Sequence, residues 1–190
     1  MLAHRQRRLF TPEEYLVLEE RSETKSEYHR GEIFSMTGGS MEHNELVRNV
    51  TVELAGTLRD SACRVFVADM RLHVPAHDLF TYPDVYVVCG PPRRMERRRD
   101  TLVDATLIVE VLSPSTEVYD RGEKFLFYQT LPSFREYLLV SQERILVERH
   151  TRRQPGEWLS VEFSGSTQTF ELASIGVTIR IDEIYRGVEL

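Results

Sequence analysis

The chain has 190 residues, 41% of them hydrophobic and 28% charged, which is the balance of an ordinary globular protein with one domain. Its net charge of −6 argues against a protein that wraps nucleic acid by bulk charge. It has no apolar N-terminal signal segment and no apolar run of the roughly 18 residues that a membrane helix needs, so we expect a cytoplasmic protein without a membrane partner.

The first elements are predicted from their capping and turn residues. A threonine cap, a first-turn proline and a glutamate in Thr11-Pro12-Glu13-Glu14 predict a helix to about Glu20. The segment 26–36 reads as a hairpin that turns at Arg30-Gly31. Ser40 can cap a long helix to about Asp60. The apolar residues at helical spacing in it are Val47, Val50, Leu54 and Leu58.

Three central strands are predicted at about 63–74, 82–89 and 106–112. Their interiors are β-branched and apolar, as expected for strands that are covered on both faces. Cys63 and Cys89 lie in the first two of them. Because no CxxC or HxxxH spacing suggests a zinc site, we expect buried, inert thiols, and so few cysteines fit a reducing cytoplasm.

The second half of the chain is predicted to complete one sheet. A helix at about 119–130 ends before Pro132, a strand follows at 136–140, and antiparallel edge strands follow at 144–150 and 158–163. The tail reads as a strand and a helical turn. The core order is helix, three strands, helix, strand, an α/β arrangement (α+β by some schemes) with helices on both faces of the sheet. We expect a single domain over 1–190, with an N-terminal helix and hairpin at 10–37, a core at 40–140, and edge strands and tail at 141–190.

Two acidic residues lie where the sequence is otherwise apolar. Asp84 follows Pro83 at the head of the second strand, and Glu110 interrupts the run Leu107–Leu112. A carboxylate in such surroundings is costly unless something binds it. The alternatives are a turn aspartate that accepts local amides at Asp84, and an ion pair between Glu110 and a core arginine.

Two carboxylates on neighbouring strands can hold one hard divalent cation. Mg²⁺ uses one or two carboxylates, several waters and substrate phosphate as ligands, and phosphodiester hydrolysis needs a positive group nearby. Leu112, two residues after Glu110, cannot supply that group. Lys124, in the helix after the strand and four residues from Asp120, is the candidate, with an ordinary surface ion pair as its alternative.

These motifs resemble a known family. The ordered segments YPDVYVV, LIVEVLSPST and YDRGEK, with the hairpin and the strand VFVADMRLHV, make the chain similar to the Uma-type putative restriction endonuclease family of the PD-(D/E)XK nuclease superfamily. The resemblance covers about Phe10 to Trp158. It implies a restriction-endonuclease-like core, a Mg²⁺ or Mn²⁺ cofactor and DNA as substrate.

The resemblance also implies roles for individual residues. Pro83-Asp84 matches the PD element and Glu110 the second acid, and the strand of Glu110 would also offer the Val111 carbonyl to the metal. The chain departs from the superfamily pattern at Leu112, where a lysine is expected. In similar families that lysine is thought to have moved to the following helix, where Lys124 fits.

Other polar residues are weaker candidates. A third metal ligand or a base is sought among Glu32, His43 and Asp69, and a supporting role is assigned to Ser113 and Asp120. Three still weaker candidates are Glu27, Arg71 and Tyr128. The segment 93–99 carries five arginines that could neutralise phosphates, or could form a solvated loop: Arg93, Arg94, Arg97, Arg98 and Arg99.

Three functions are weighed on this basis. The first is a metal-dependent endonuclease that hydrolyses phosphodiester bonds of DNA. The alternative is a catalytically weak or inactive nucleic-acid-binding or regulatory module on the same fold. A purely structural protein is the third. A homodimer would suit a nuclease that cuts two strands related by two-fold symmetry, and the aromatic edge segments around Trp158 and Phe163 could pair two copies.

Overall fold

The computed structural model describes residues 8–36 and 38–190, so Thr37, the last residue of the predicted N-terminal segment, lies outside it. The architecture mixes α and β elements. The helices are α1 (Pro12–Arg21), α2 (Met41–Thr57), α3 (Glu117–Tyr119), α4 (Phe125–Tyr128) and α5 (Ile181–Ile184). The strands are β1 (Ser26–His29), β2 (Glu32–Ser35), β3 (Cys63–Val67), β4 (Arg71–Val74), β5 (Leu79–Thr81), β6 (Val85–Cys89), β7 (Thr101–Leu102), β8 (Leu107–Leu112), β9 (Glu136–Ser141), β10 (Val147–Gln154), β11 (Glu157–Phe163), β12 (Thr169–Leu172) and β13 (Val177–Arg180).

The predicted start of α1 is confirmed by its capping hydrogen bonds. The Glu14 amide donates to Thr11 Oγ1 at 3.2 Å, and the Thr11 amide donates to the Glu14 carboxylate at 2.9 Å. These bonds satisfy amides that the first turn of a helix leaves without intrahelical partners. Ser40 caps α2 in the same manner, since its hydroxyl accepts from the His43 amide.

The predicted hairpin is formed by β1 and β2. Arg30 and Gly31 at its turn have φ angles of 48° and 95°, the left-handed backbone that tight hairpin turns use. Tyr28 packs against Tyr15 and Phe80 beneath α1. The hairpin belongs to an N-terminal sheet with the order β2-β1-β5-β4-β7. Because side chains alternate along a strand, the residues on either side of Tyr28 lie on the opposite face of this sheet.

The main sheet has the order β11-β10-β9-β8-β6-β3. Among the described strands of this sheet only β8 and β9 pair in parallel. The chain between them forms one continuous helix in which α3 and α4 are joined by a π-helical turn at Asp120–Lys124. We call the whole segment helix 117–128. Helix α2 packs on one face of the sheet and helix 117–128 on the other. The predicted order of helix, three strands, helix and strand is therefore confirmed, with β3, β6 and β8 as the three strands.

The prediction of one strand at 63–74 is wrong. The chain turns after Val67, where the Met70 amide donates to the Val67 carbonyl. Strand β3 pairs with β6 in the main sheet, whereas β4 pairs with β5 and β7 in the N-terminal sheet. The segment that was predicted as one strand thus contributes to two sheets. The short strands β5, β7 and β12 were not predicted.

The edge strands and tail follow the predicted order, as β10, β11, β13 and α5. Their aromatic rings pack within the chain. Trp158 lies 5.1 Å from Phe125 between ring centroids, and Phe163 lies 5.0 Å from Phe170. These contacts account for the aromatic residues without a second copy, and the homodimer stays a prediction.

The prediction of two inert, buried thiols is wrong. Cys63 and Cys89 form a disulfide and are only partly buried. They are direct cross-strand partners in the antiparallel pair of β3 and β6. Their separation of 26 residues along the chain gives no sign of this pairing, because it depends on the register of the two strands.

None of the helices within 8–36 and 38–190 is both long and apolar enough to cross a membrane.

Candidate active site

Asp84 and Glu110 lie side by side where β6 begins and β8 nears its end. In this antiparallel pair Val85 lies opposite Val109. The Asp84 amide donates to Glu110 Oε2 at 3.2 Å, and the Val111 amide donates to Asp84 Oδ2 at 2.8 Å. Each carboxylate thus accepts a hydrogen bond from the backbone beside the other, which fixes their relative position. Asp84 accepts its hydrogen bond from a neighbouring strand. It is therefore more than a turn residue that accepts hydrogen bonds from local amides.

Lys124 supplies the cation beside Glu110. Its Nζ atom lies 3.1 Å from Glu110 Oε1, 3.3 Å from Asp120 Oδ1 and 3.5 Å from Glu27 Oε1. Only 8% of the Lys124 side chain is exposed, which excludes the ordinary surface ion pair. The core arginine, Arg71, contacts Tyr82 and Asp100 rather than Glu110.

The π-helical turn of helix 117–128 carries both Asp120 and Lys124 toward Glu110. A wide turn of this kind is uncommon and is frequent at functional sites. One turn further on, the Tyr128 hydroxyl donates to Glu110 Oε1 at 2.8 Å, and Tyr128 is fully buried. Helix 117–128 therefore contacts the same carboxylate oxygen through two side chains.

The charges of this cluster do not balance. Among the residues that the structure describes, Lys124 is the one lysine or arginine in contact with it, against the four acids Glu27, Asp84, Glu110 and Asp120. Burial is the main cause that raises the pKa of Glu110 to about 8, and although Lys124 opposes the rise, the neighbouring acids add to it. Burial alone would lower the pKa of Lys124, but the carboxylates hold it well above its ordinary value. The shared lysine thus stays charged, whereas Glu110 keeps its proton up to about pH 8.

His43 lies in the first turn of α2, with Nε2 3.4 Å from Asp84 Oδ2. The hydrogen bond to Asp84 is the largest cause of a raised pKa for His43, and burial opposes it. A proton on Nε2 is therefore favoured, and it faces Asp84. Ser113 is engaged in the turn after β8, where its hydroxyl lies 3.0 Å from those of Ser115 and Thr116.

These residues border one cleft of about 730 Å³. Its lining includes the candidate residues Asp84, Glu110, Val111, Lys124, His43, Ser113 and Asp120, and also Glu27. Burial increases from its rim to its base, since Ser115 and Gly39 are exposed whereas Glu110 and Lys124 are buried. Glu27 and Tyr128 were only weak candidates from the sequence. The sequence signal for Glu27 was its position next to a tyrosine in a strand. Side chains alternate between the two faces of a strand, so a buried tyrosine places this acid on the other face.

Two of the supporting candidates, Asp69 and Glu32, lie outside the cleft lining, as do the weaker candidates Arg71 and Tyr128. Asp69 lies in the turn between β3 and β4, its side chain is 85% exposed, and it pairs with Lys25. It seemed to interrupt an apolar strand only because two strands were read as one. Glu32 lies opposite His29 at the turn end of the hairpin, and only His29 of this pair contributes to the cleft.

The arginine segment 93–99 follows the far end of β6 from Asp84. Five strand residues separate them, a span of roughly 16 Å. Arg98 is 17% exposed and pairs with Asp100 and Glu20, and Arg93 pairs with Asp104, so both help to hold the loop. Arg97 is 91% exposed. Only part of the segment is therefore free to meet a phosphate backbone.

Comparison with known proteins agrees with this geometry. A sequence model of the Uma2 family, described as putative restriction endonuclease, matches residues 12–182. This chain belongs to the Uma2 family. The predicted membership is confirmed, and it supports nucleic-acid cleavage as the class of function. Families of this restriction-endonuclease-like kind usually depend on divalent metal ions.

Curated relatives of this Uma2 chain come from Synechocystis sp. (strain ATCC 27184 / PCC 6803 / Kazusa). The uncharacterized protein slr1290 is 37% identical over 178 residues, which cover 94% of this chain and 92% of the relative. The uncharacterized protein sll1609 is 35% identical over 166 residues, covering 87% and 94%. Both therefore match this chain over nearly their whole length.

A solved structure shows the same fold. The crystal structure of a putative nuclease belonging to DUF820 from Anabaena variabilis ATCC 29413 matches with a TM-score of 0.76 and 18% identity, and covers 93% of this chain and 97% of that one. The predicted restriction-endonuclease-like fold is confirmed.

Proposed function

We propose that this protein is a divalent-metal-dependent endonuclease that hydrolyses phosphodiester bonds, with DNA as its substrate. The observation that carries the proposal is the interlocked pair of Asp84 and Glu110 with a buried lysine 3.1 Å from Glu110, all in one cleft. A structural ion pair would balance its charges, whereas this cluster has more acids than one lysine can neutralise.

The residues present fit a hard cation such as Mg²⁺ or Mn²⁺. Asp84, Glu110 and the Val111 carbonyl offer oxygen ligands only, and Asp120 Oδ1, 3.3 Å from Lys124 Nζ, is a further carboxylate oxygen in the cluster. Within residues 8–36 and 38–190, no group of three or more His, Cys, Asp or Glu side chains is arranged to hold a metal ion. Mg²⁺ can be bound by one or two carboxylates, with waters and phosphate oxygens as its other ligands.

A bound divalent ion supplies a polarised phosphate and an activated water. The remaining chemistry belongs to the chain's own residues. Lys124 holds a full positive charge at the base of the cleft, where it can offset negative charge that develops on the phosphate. Tyr128 fixes one oxygen of Glu110. His43 holds a proton on Nε2 toward Asp84 Oδ2 and so orients that carboxylate rather than acting as a ligand.

Calorimetry with Mg²⁺ and with Mn²⁺ tests the site, on the wild type, Glu110→Ala and a matched control, Asp69→Ala. Nicking of a supercoiled plasmid and of a single-stranded circle is measured in the same buffers. We expect Glu110→Ala to lose metal binding and cleavage together, while Asp69→Ala keeps both, because Asp69 is exposed outside the cleft.

Two other outcomes change the conclusion. Metal binding without cleavage of either substrate would favour the alternative, a catalytically weak or inactive nucleic-acid-binding module. Absence of metal binding by the wild type would refute the metal site and leave Asp84 and Glu110 as structural acids.

A further inference from the structure

An aromatic ring borders the acidic cluster of the cleft. Phe34 lies on β2 directly opposite Glu27 on β1, so both side chains project from the same face of the hairpin. Glu27 in turn lies 3.5 Å from Lys124 Nζ. Phe34 is therefore the cross-strand neighbour of a residue that contacts the Lys124 amine. It also contributes to the lining of the cleft. The Tyr119 ring, 5.9 Å from Lys124 Nζ, also lines it.

The exposure of Phe34 is unusual for its position. The alternation of β2 turns Ile33 toward Tyr28 and the core, and turns Phe34 away from it. Phe34 is 47% exposed on the edge strand of its sheet, where a polar side chain would be expected. Scattered exposed apolar residues need no explanation, but an exposed ring at the mouth of a cleft offers a stacking surface.

The charge of the cleft opposes binding through phosphates alone. Its lining contains one lysine and two histidines, no arginine among the described residues, and five acids: Glu27, Asp84, Glu110, Asp120 and Glu123. Proteins that hold duplex DNA by its backbone need several cations along the groove. Apart from one bound metal ion, this cleft offers few positive groups that could attract a second DNA strand. Binding must therefore depend on contacts with the bases.

The size of the cleft limits what can reach those bases. Its volume of about 730 Å³ falls among pockets that enclose a small molecule. A base inside a duplex is stacked and paired, and must leave the stack before it can meet a protein ring in such a pocket. We infer that the substrate strand enters the cleft unpaired, with a base stacked on Phe34 next to the phosphate at Asp84 and Glu110. The position of that phosphate rests on the proposed function.

Binding is tested by fluorescence anisotropy with a labelled single strand of DNA and with the matching duplex, in Ca²⁺, with the integrity of the DNA checked on a gel. The wild type should bind the single strand at least tenfold more tightly than the duplex. Phe34→Ala should weaken single-strand binding by about 5- to 100-fold, the range that loss of one stacking ring gives. Phe34→Tyr, which keeps the ring, should bind within about twofold of the wild type.

Val52→Ala is the matched control, because Val52 is exposed on α2 and does not line the cleft. It should leave binding unchanged, and circular dichroism checks that every variant is folded. Equal or tighter binding of the duplex, no binding of either DNA, or wild-type binding by Phe34→Ala would overturn the inference. If metal-dependent nicking is observed together with any of these binding results, the proposed function still holds. Phe34-dependent single-strand binding without cleavage would support the inference and count against the nuclease.

Discussion

The burial of Glu110 among other acids should make the stability of the fold depend on pH. The folded protein holds the pKa of Glu110 at about 8, mainly through burial, against an ordinary value of 4.5. Between these pH values the folded chain keeps a proton that the unfolded chain has released. Stability that depends on that proton is fully present below pH 4.5 and is lost as the pH rises through about 8.

The size of the effect follows from the two pKa values. The difference of 8 − 4.5, or 3.5 pKa units, corresponds to on the order of 5 kcal/mol at about 1.4 kcal/mol per unit. This is an upper limit, because water that enters the open side of the cleft would screen the charge. Even half of it is a large share of the roughly 5–15 kcal/mol that stabilises a typical domain.

Urea unfolding followed by circular dichroism at pH 5, 6.5 and 8 in EDTA measures this loss. Glu110→Gln is the comparison, because it has nearly the same shape and no titrating group, while every other titrating residue is shared. We expect the wild type to lose several kcal/mol more than the variant between pH 5 and pH 8. At pH 8, Mg²⁺ should restore stability to the wild type only. Parallel pH profiles for the two proteins would refute the reasoning.

Three further substitutions test single parts of the site. Lys124→Met should retain metal binding, lose cleavage by about 100-fold or more, and lower stability at pH 8 by about 3 kcal/mol, since it leaves buried acids without their cation; cleavage at the wild-type rate would exclude Lys124 from the chemistry. Tyr128→Phe removes one hydrogen bond to Glu110 and should cost about 1 kcal/mol in urea unfolding, with a smaller loss of cleavage than Lys124→Met. If the arginine segment holds phosphates, Arg97→Ala with Arg99→Ala should reduce the salt dependence of DNA binding by about one per arginine, and an unchanged salt slope would identify a solvated loop.

The order of the core elements was predictable because it depends on local signals. Capping residues mark the starts of α1 and α2, and apolar runs mark β6, β8 and β9. The two acids were also visible, since Glu110 interrupts a strand that is buried at every position. Local patterns thus located the site along the chain without locating its partners in space.

Features that depend on the pairing of distant segments were not predictable. The disulfide of Cys63 and Cys89 depends on strand register, and the exposure of Asp69 on a turn inside an apolar run. Glu27 enters the cleft because the N-terminal hairpin packs beside helix 117–128, a contact that joins residues 97 positions apart. No spacing in the sequence encodes that approach.

The candidate chemistry depends on the packing of one helix, because the lysine of the site lies on that helix. Glu110 and Leu112 share a face of β8, and Leu112 is buried in the hydrophobic cluster that contains Tyr128. The strand position where the superfamily pattern expects a lysine is therefore part of the core, and the amine comes from helix 117–128 instead. Because Lys124 and Tyr128 contact the same oxygen of Glu110, a shift of this helix would withdraw both at once. Their contributions are consequently not independent, and the losses from Lys124→Met and Tyr128→Phe should not add in the double variant.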